Sequence, residues 1–174
     1  GLRGVKQLRW AAEHMTGQTA SPFEVQTSML VSLPRDEGGM GINIANNVRI
    51  PLSDAARSLY DKTCCYADIL IESNIDSMGV ILECQGRSAH DSEAASLSDA
   101  ERTTALTSMG YDVIQITYEQ IKDTKSFNNI AELIHKKAGL PYIPKTDQER
   151  TAAETLRREL LVNWDELFSV KPAG

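Results

Sequence analysis

Apolar and polar residues alternate, or cluster in short apolar runs, along three stretches in the first half of the chain. Residues 42–52 alternate as a half-exposed strand does, and residues 65–72 and 80–85 are two further strand-like runs. The stretch 73–79 between the last two runs is typical of a hairpin connection. The pattern therefore predicts an antiparallel meander of three strands.

Helical periodicity marks two segments before this meander. Residues 3–15 place apolar side chains at the spacing of an amphipathic helix. A second helix is predicted from Ser21 to about Leu33, because Ser21 is a good N-cap, Pro22 fits the first helical position and Glu24 completes a capping box.

A crossover unit is predicted after the meander. Residues 97–110 read as a helix with a capping box of Ser98 and Glu101 and with Gly110 as its C-terminal stop. The apolar stripe of this helix consists of Leu97, Leu106 and Met109. Residues 111–118 are strand-like, and a strand, helix, strand order implies two parallel strands with a right-handed connection. We therefore expect an α/β fold with a central mixed sheet of about four strands flanked by helices.

Two more helical patterns follow the predicted sheet. Residues 126–139 end on a glycine and are expected to cover one sheet face. Its apolar positions are Phe127, Ile130, Leu133 and Ile134. After a break with two prolines, residues 146–168 give a long, charged helical pattern. Its apolar side is expected to pack either on the domain or on another protomer, so that the C-terminal helix would support a homodimer.

Length and composition set the expected organisation. The 174 residues, 41% of them hydrophobic, suffice for one core. We interpret residues 1–17 as a helix continuing from a longer protein, 18–140 as the α/β domain and 141–174 as a helical extension. No run reaches the roughly 18 apolar residues of a membrane span, and no secretory signal is evident, so we expect a cytoplasmic protein.

Net charge and cysteine content bear on which kinds of partner and metal site are expected. The formal net charge of -6 argues mildly against a protein that clamps DNA without regard to sequence. An acidic protein can nevertheless carry a local basic face. The three cysteines lack a Cys-x-x-Cys metal spacing and a paired framework, so we expect them to be free, reduced and partly buried.

Carboxylates on the second and third predicted strands carry the candidate chemistry. Strand alternation puts Glu83 and Gln85 on one face of their strand. It puts Asp68 on the face of Tyr66 and Leu70, opposite Ala67, Ile69 and Ile71. In a suitable hairpin register, Asp68, Glu83 and Gln85 converge near one sheet edge. Two carboxylates that lie so near each other are costly to bury unless a cation lies between them. Mg²⁺ is the simplest such cation. Alternatively, each carboxylate is a polar residue on a solvated strand face.

An ordered set of residues from Asp68 to Gln115 resembles the PD-(D/E)xK nuclease superfamily. Within it, the chain is similar to the proteins related to the very-short-patch repair endonuclease. The residues that match their pattern are Asp68, Glu83, Gln85, Gly86, His90, Asp99 with Arg102, Gly110, Tyr111 and Val113. The "SPFE" start of the second helix also resembles that group, whose glutamate borders the catalytic sheet. The resemblance covers roughly residues 18–137.

The resemblance implies roles for individual residues. Asp68 and Glu83 would be catalytic residues that bind Mg²⁺ or Mn²⁺, with Gln85 orienting a water molecule. Glu24 would be a further metal or water ligand, although its capping box with Ser21 explains it equally well. The two remaining candidates, His90 and Arg102, would contact a substrate phosphate; a loop histidine and an exposed helical arginine are the alternatives.

One departure from the superfamily concerns its lysine. Position 85 holds Gln, which lacks the positive charge that stabilises the pentacovalent phosphate. Some members resembling this group use Gln, Glu or Asp there. The sequence therefore predicts a metal-dependent DNA endonuclease, with a catalytically inactive nuclease-like module as the alternative. That module would bind DNA or regulate a bacterial defence or toxin-antitoxin protein.

Overall fold

The fold is α/β, with a four-stranded mixed open sheet flanked by helices. It was obtained as a computed structural model that describes residues 19, 21–85 and 93–161. The strands are β1 (Ala45–Pro51), β2 (Cys64–Ile71), β3 (Gly79–Gln85) and β4 (Tyr111–Thr117). The helices are α1 (Pro22–Ser32), α2 (Asp54–Arg57), α3 (Glu93–Ser108), α4 (Tyr118–Lys122), α5 (Thr124–Ala138) and α6 (Asp147–Leu160), with a 3-10 turn at Arg35–Glu37.

The sheet has the order β1-β2-β3-β4. The β1–β2 and β2–β3 pairs are antiparallel, and β4 runs parallel to β3 after the crossover through α3. The predicted meander, the parallel pair and the mixed sheet are therefore confirmed. The predicted helix of residues 3–15 lies outside the described residues.

Helix α1 starts as predicted. The side chain of Ser21 accepts a hydrogen bond from the Glu24 amide at 3.2 Å, and Pro22 occupies the first helical turn. The helix ends at Ser32 with Leu33 as its C-cap. Local capping by the Ser21 side chain thus determines where this helix starts.

Helix α3 differs from the prediction at its start. It begins at Glu93, so that Ser98 and Glu101 lie inside the helix and do not form the predicted capping box. Leu97, expected in the apolar stripe, is 61% exposed, whereas Leu106 is buried. A serine followed three residues later by glutamate marks a helix start only when no helical residues precede it. The predicted stop is confirmed at Gly110, which has a φ of 89°.

Two hydrophobic clusters cover the two faces of the sheet. On one side, which we call the α1 face, residues of β2 and β3 pack against α1, α5 and α6. On the other side, the α3 face, residues of β1 and β3 pack against α2 and α3. Strand β3 contributes Val80 and Leu82 to the first cluster and Ile81 to the second. A strand covered on both faces reads as a continuous apolar run, which explains this segment of the sequence.

The last two helices lie on the α1 face. In α5, Phe127, Ile130 and Ile134 are buried as predicted, whereas Leu133 is 39% exposed. Helix α6 begins at the N-cap Thr146, and its Leu156 belongs to the α1-face cluster. The helix ends at Leu160 with Leu161 as its C-cap, whereas the prediction continued it to residue 168; residues 162–168 lie outside the described residues.

Candidate functional site

Asp68 lies at the point where β2 and β3 stop pairing. The last paired residues in this hairpin are Ile69 and Leu82, and the same register would place Asp68 opposite Glu83. The Asp68 side chain crosses to the neighbouring strand, where its Oδ2 accepts a hydrogen bond from the Cys84 amide at 2.8 Å. The carboxylate therefore takes the place of a backbone partner and holds the two strand ends together.

The alternation of side chains along β2 changes phase at Asp68, contrary to the sequence prediction. Cys65 and Ala67 pack in the α3-face cluster, whereas Ile69 and Ile71 pack in the α1-face cluster. The same change occurs on β1, where Asn47 has a φ of 50°. A residue in the left-handed conformation breaks the pleat, so that side chains before and after it need not share a face. Asp68 therefore lies at a local distortion of the sheet and not within one regular face.

Glu83 is a buried carboxylate on the α3 face of the sheet. It is 4% exposed, and its Oε2 forms an ion pair with Nη2 of Arg102. Its Oε1 is buried and has no hydrogen-bond partner among the described residues. Burial raises the pKa of Glu83 to about 7, although Arg102 opposes this, and Asp68 raises the pKa further. The predicted alternative, a solvated surface carboxylate, does not apply to Glu83.

Arg102 reaches Glu83 from helix α3. Its Nη1 donates to the backbone carbonyl of Tyr66 at 3.0 Å, while Nη2 contacts the carboxylate. The guanidinium thus bridges β2 and β3 on the side where the strands separate. The sequence suggested a substrate phosphate or solvent as its partner, and the structure shows an internal ion pair. In the sequence, this pair is indicated only by a carboxylate on a strand and an arginine on the crossover helix that follows it.

Glu24 lies near Asp68 on helix α1, which covers the sheet face opposite to that of Glu83. The residue is buried at the start of α1, and its Oε1 accepts a hydrogen bond from the Ser21 hydroxyl at 2.9 Å. Burial raises the pKa of Asp68, the Cys84 amide lowers it, and the negative charge of Glu24 raises it again. Glu24 therefore combines a side-chain hydrogen bond to the N-cap residue Ser21 with an electrostatic effect on Asp68.

The remaining predicted residues lie at or beyond the end of β3. Gln85 is half-buried and stands opposite Thr117 in the parallel register with β4. His90 and Gly86 lie outside the described residues. Between Glu83 and Gln85, Cys84 turns to the α1 face, and burial raises the pKa of its thiol to about 12. All three cysteines are free, as predicted.

The carboxylates fit a divalent ion of the kind that needs few protein ligands. Within the described part of the chain, no group of three or more His, Cys, Asp or Glu side chains is arranged to hold a metal ion. Mg²⁺, however, commonly uses one or two carboxylates and completes its shell with water and phosphate oxygens. Glu83 has one carboxylate oxygen that lacks a hydrogen-bond partner within the described part of the chain, and the charge of Asp68 acts on Glu83. The donor set at these two residues thus consists of carboxylate oxygens, the ligand type that Mg²⁺ takes in proteins.

Some contributors to this site have no side-chain signal in the sequence. The Cys84 amide and the Tyr66 carbonyl act through the backbone, which every residue carries. The hydrogen bond from Ser28 to Asn46, at 2.8 Å, joins α1 to β1 close to the distortion of the sheet. Only the pairing of distant elements identifies these groups.

Comparisons with known proteins gave no relative. No family model matches the chain, and neither a curated protein nor a solved structure matches it. Among the described residues, no helix has the length and apolar character needed to cross a membrane. The chemistry proposed below therefore depends on the geometry of the site and on the sequence resemblance.

Proposed function

We propose that this chain is a metal-dependent DNA endonuclease with a restriction-endonuclease-like core. The observation that carries the proposal is Glu83, a buried carboxylate with one oxygen that lacks a partner among the described residues. Its neighbour Asp68 is anchored where β2 and β3 separate. The element order, a helix, three antiparallel strands, a crossover helix and a parallel strand, agrees with the resemblance.

The residues of the site have distinct roles in this proposal. Asp68 and Glu83 hold the ion, and Glu24 keeps negative charge near Asp68. Bound Mg²⁺ or Mn²⁺ supplies Lewis-acid chemistry, polarising a phosphate and lowering the pKa of a water molecule. The Gln85 amide orients the attacking water. Arg102 contacts the phosphate, for which it must share or leave its ion pair with Glu83.

A plasmid-nicking assay tests the proposal. The wild type, Asp68→Ala and Glu83→Ala are incubated with supercoiled plasmid and Mg²⁺ or Mn²⁺, with a chelator control. Asp76→Ala is the matched control, because Asp76 is an exposed carboxylate in the loop beyond the far ends of β2 and β3. We expect nicking by the wild type and Asp76→Ala only, and none with chelator. Equal nicking by all four proteins, or none by any, would overturn the proposal.

A second candidate function is favoured by two features of the same site. Gln85 replaces the usual lysine of the superfamily, and Arg102 already neutralises Glu83 within the protein. A nuclease-like module that no longer cuts would then bind DNA or regulate a bacterial defence or toxin-antitoxin protein. The discriminating experiment compares the wild type with Gln85→Lys. DNA binding without nicking by the wild type, and nicking gained by Gln85→Lys, would select this alternative.

The cellular setting and the oligomeric state belong to the same proposal. We place the protein in the cytoplasm, where chromosomal or foreign DNA is accessible.

We also infer a homodimer formed through the C-terminal helix. Leu156 and Ala153 of α6 pack inward, so the dimer contact would use the opposite side of that helix. Sedimentation of the purified chain at the mass of one protomer would contradict the dimer.

A further inference from the structure

A cavity of about 260 Å³ lies between α5, α6 and the loop that joins them. Its polar lining comprises Arg35, Thr124, Asn128, Lys145, Arg150 and Arg157, together with other residues. We call it the basic cavity. None of its described lining residues belongs to the site of Asp68, Glu83 and Gln85.

Two of the four cations are neutralised by carboxylates. Arg35 contacts both carboxylate oxygens of Glu149, at 2.8 and 3.0 Å, and Arg150 forms an ion pair with Asp147. Lys145 and Arg157 have no carboxylate within ion-pair distance among the described residues. The described lining includes a single acidic residue, Glu154. The basic cavity therefore carries excess positive charge.

Arg157 is the buried member of this set. It is 8% exposed, and its Nη2 donates to the backbone carbonyls of Ile121 and Lys122, both at 2.6 Å. The guanidinium lies over the ring of Phe127, 5.2 Å from the centroid. Its Nη1 is buried and has no hydrogen-bond acceptor among the described residues. A charged donor left in that state destabilises a fold unless an acceptor or a counter-ion is supplied.

Lys145 experiences the same excess of charge. Burial lowers the pKa of its ammonium group and repulsion from Arg35 lowers it further, whereas the carboxylate of Glu149 raises it and Arg157 again lowers it. An anion in the basic cavity would reverse this repulsion. Glu149 acts on Lys145 and Asp123 acts on Arg157, so they offset part of this charge, but among the described residues neither forms an ion pair with its cation. A cavity lined by four cations and one acidic residue is therefore suited to an added anion.

We propose that the basic cavity binds the phosphate group of a small phosphate monoester. A phosphate carries close to two negative charges and three acceptor oxygens. These match Lys145 and Arg157, which form no ion pair among the described residues, and the hydroxyl and amide of Thr124 and Asn128 in the same lining. Planar guanidinium groups suit phosphate oxygens. The volume lies just below the usual range of small-molecule pockets, about 300 Å³ upward, so the ligand is small.

Thermal unfolding with four probes tests this site. The probes are inorganic phosphate, adenosine monophosphate, adenosine as the analogue without phosphate, and a short DNA duplex. We expect phosphate and the monophosphate to raise the melting temperature of the wild type, and adenosine to leave it unchanged. In Lys145→Met and Arg157→Met, binding should weaken by about tenfold or more.

The controls remove the same charge from neighbouring surface positions. Lys136→Met and Arg158→Met replace exposed cations on α5 and α6, and both should respond like the wild type. Lys145 is half-exposed, so Lys145→Met keeps the test valid if Arg157→Met fails to fold. Equal binding by Lys145→Met and Lys136→Met would overturn the proposal. So would stabilisation by adenosine alone, or Lys145-dependent binding of the duplex without binding of either small phosphate.

Discussion

At the residue scale, Glu83 determines the electrostatics of the candidate site. Its burial disfavours the charged carboxylate, and Arg102 compensates only in part, so the pKa rises to about 7. An unfolded chain would titrate near the ordinary value of 4.5. Between these two pH values the folded protein binds more protons than the unfolded one, and stability falls as the pH rises.

The first prediction compares the pH dependence of the wild type and Glu83→Gln. Each unit of pKa difference corresponds to about 1.4 kcal/mol, so the wild type should lose roughly 3 kcal/mol relative to the variant between about pH 4 and about pH 8. Chemical unfolding of both proteins at several pH values measures this difference. Parallel stability curves for the two proteins would show that Glu83 does not titrate in this range.

A second prediction concerns Arg102, whose removal leaves a buried carboxylate without its counter-ion. Arg102→Met should reduce the free energy of unfolding by about 3 kcal/mol at about pH 8, where Glu83 is charged, and by less at about pH 5. Arg57→Met is the control, because its ion pair with Asp54 is exposed and should contribute less than about 1 kcal/mol.

A double-mutant cycle of Arg102→Met and Glu83→Gln isolates the ion pair. The coupling energy should shrink as Glu83 becomes protonated. A coupling that does not change with pH would contradict an ion pair between these two residues.

At the element scale, the segment between α1 and β1 positions the edge of the sheet. Three of its amides return to α1: Met40 donates to Leu30, Gly41 to Leu33 and Ile42 to Val31, at 2.9 to 3.1 Å. The chain therefore folds back along the helix end. This close approach of two backbones leaves little room for side chains at Gly39.

The third prediction uses two glycines of this segment. A Cβ atom at Gly39 would overlap the backbone carbonyl of Leu33, so Gly39→Ala should destabilise the fold by about 3 kcal/mol or more. At Gly41 the nearest atom would be Cγ of Arg35 at 3.6 Å, and only the φ of 69° opposes a side chain. Gly41→Ala should therefore cost about 1 kcal/mol. Urea unfolding of both variants measures the difference, and equal losses would contradict the backbone contact.

At the scale of the whole molecule, the net charge of -6 opposes the approach of DNA. In the proposed function, a divalent ion between Asp68 and Glu83 offsets part of this charge at the place where a phosphate would bind. Association with DNA should then depend on the ion even before cleavage.

The fourth prediction measures that ion directly. Mn²⁺ or Mg²⁺ should stabilise the wild type, by about 2.7 kcal/mol when the free ion is at roughly a hundred times its Kd. Asp68→Asn and Glu83→Gln should lose this effect, whereas Asp76→Asn, which alters an exposed loop carboxylate, should keep it. Calorimetric unfolding with and without chelator provides the measurement. Equal stabilisation of all four proteins would indicate binding elsewhere.

The fold was largely predictable because its signals are local. The cap at Ser21, the stop at Gly110 and the strand-like runs each depend on residues a few positions apart, whereas the change of phase at Asp68 does not. The prediction failed where a neighbouring element intervenes. Leu97 is exposed because packing against the sheet selects the face of helix α3 that carries Leu106, and helical residues already precede Ser98.

By itself, the sequence determined the four strands, the mixed sheet and the longer described helices, but not the short helices α2 and α4. Only the tertiary structure decided that Glu83 is buried, that Arg102 is its counter-ion and that β2 changes phase at Asp68. The physical reason is the range of the interactions. Periodicity and capping act within one element, whereas burial and ion pairing arise when elements distant in sequence remove the same group from water.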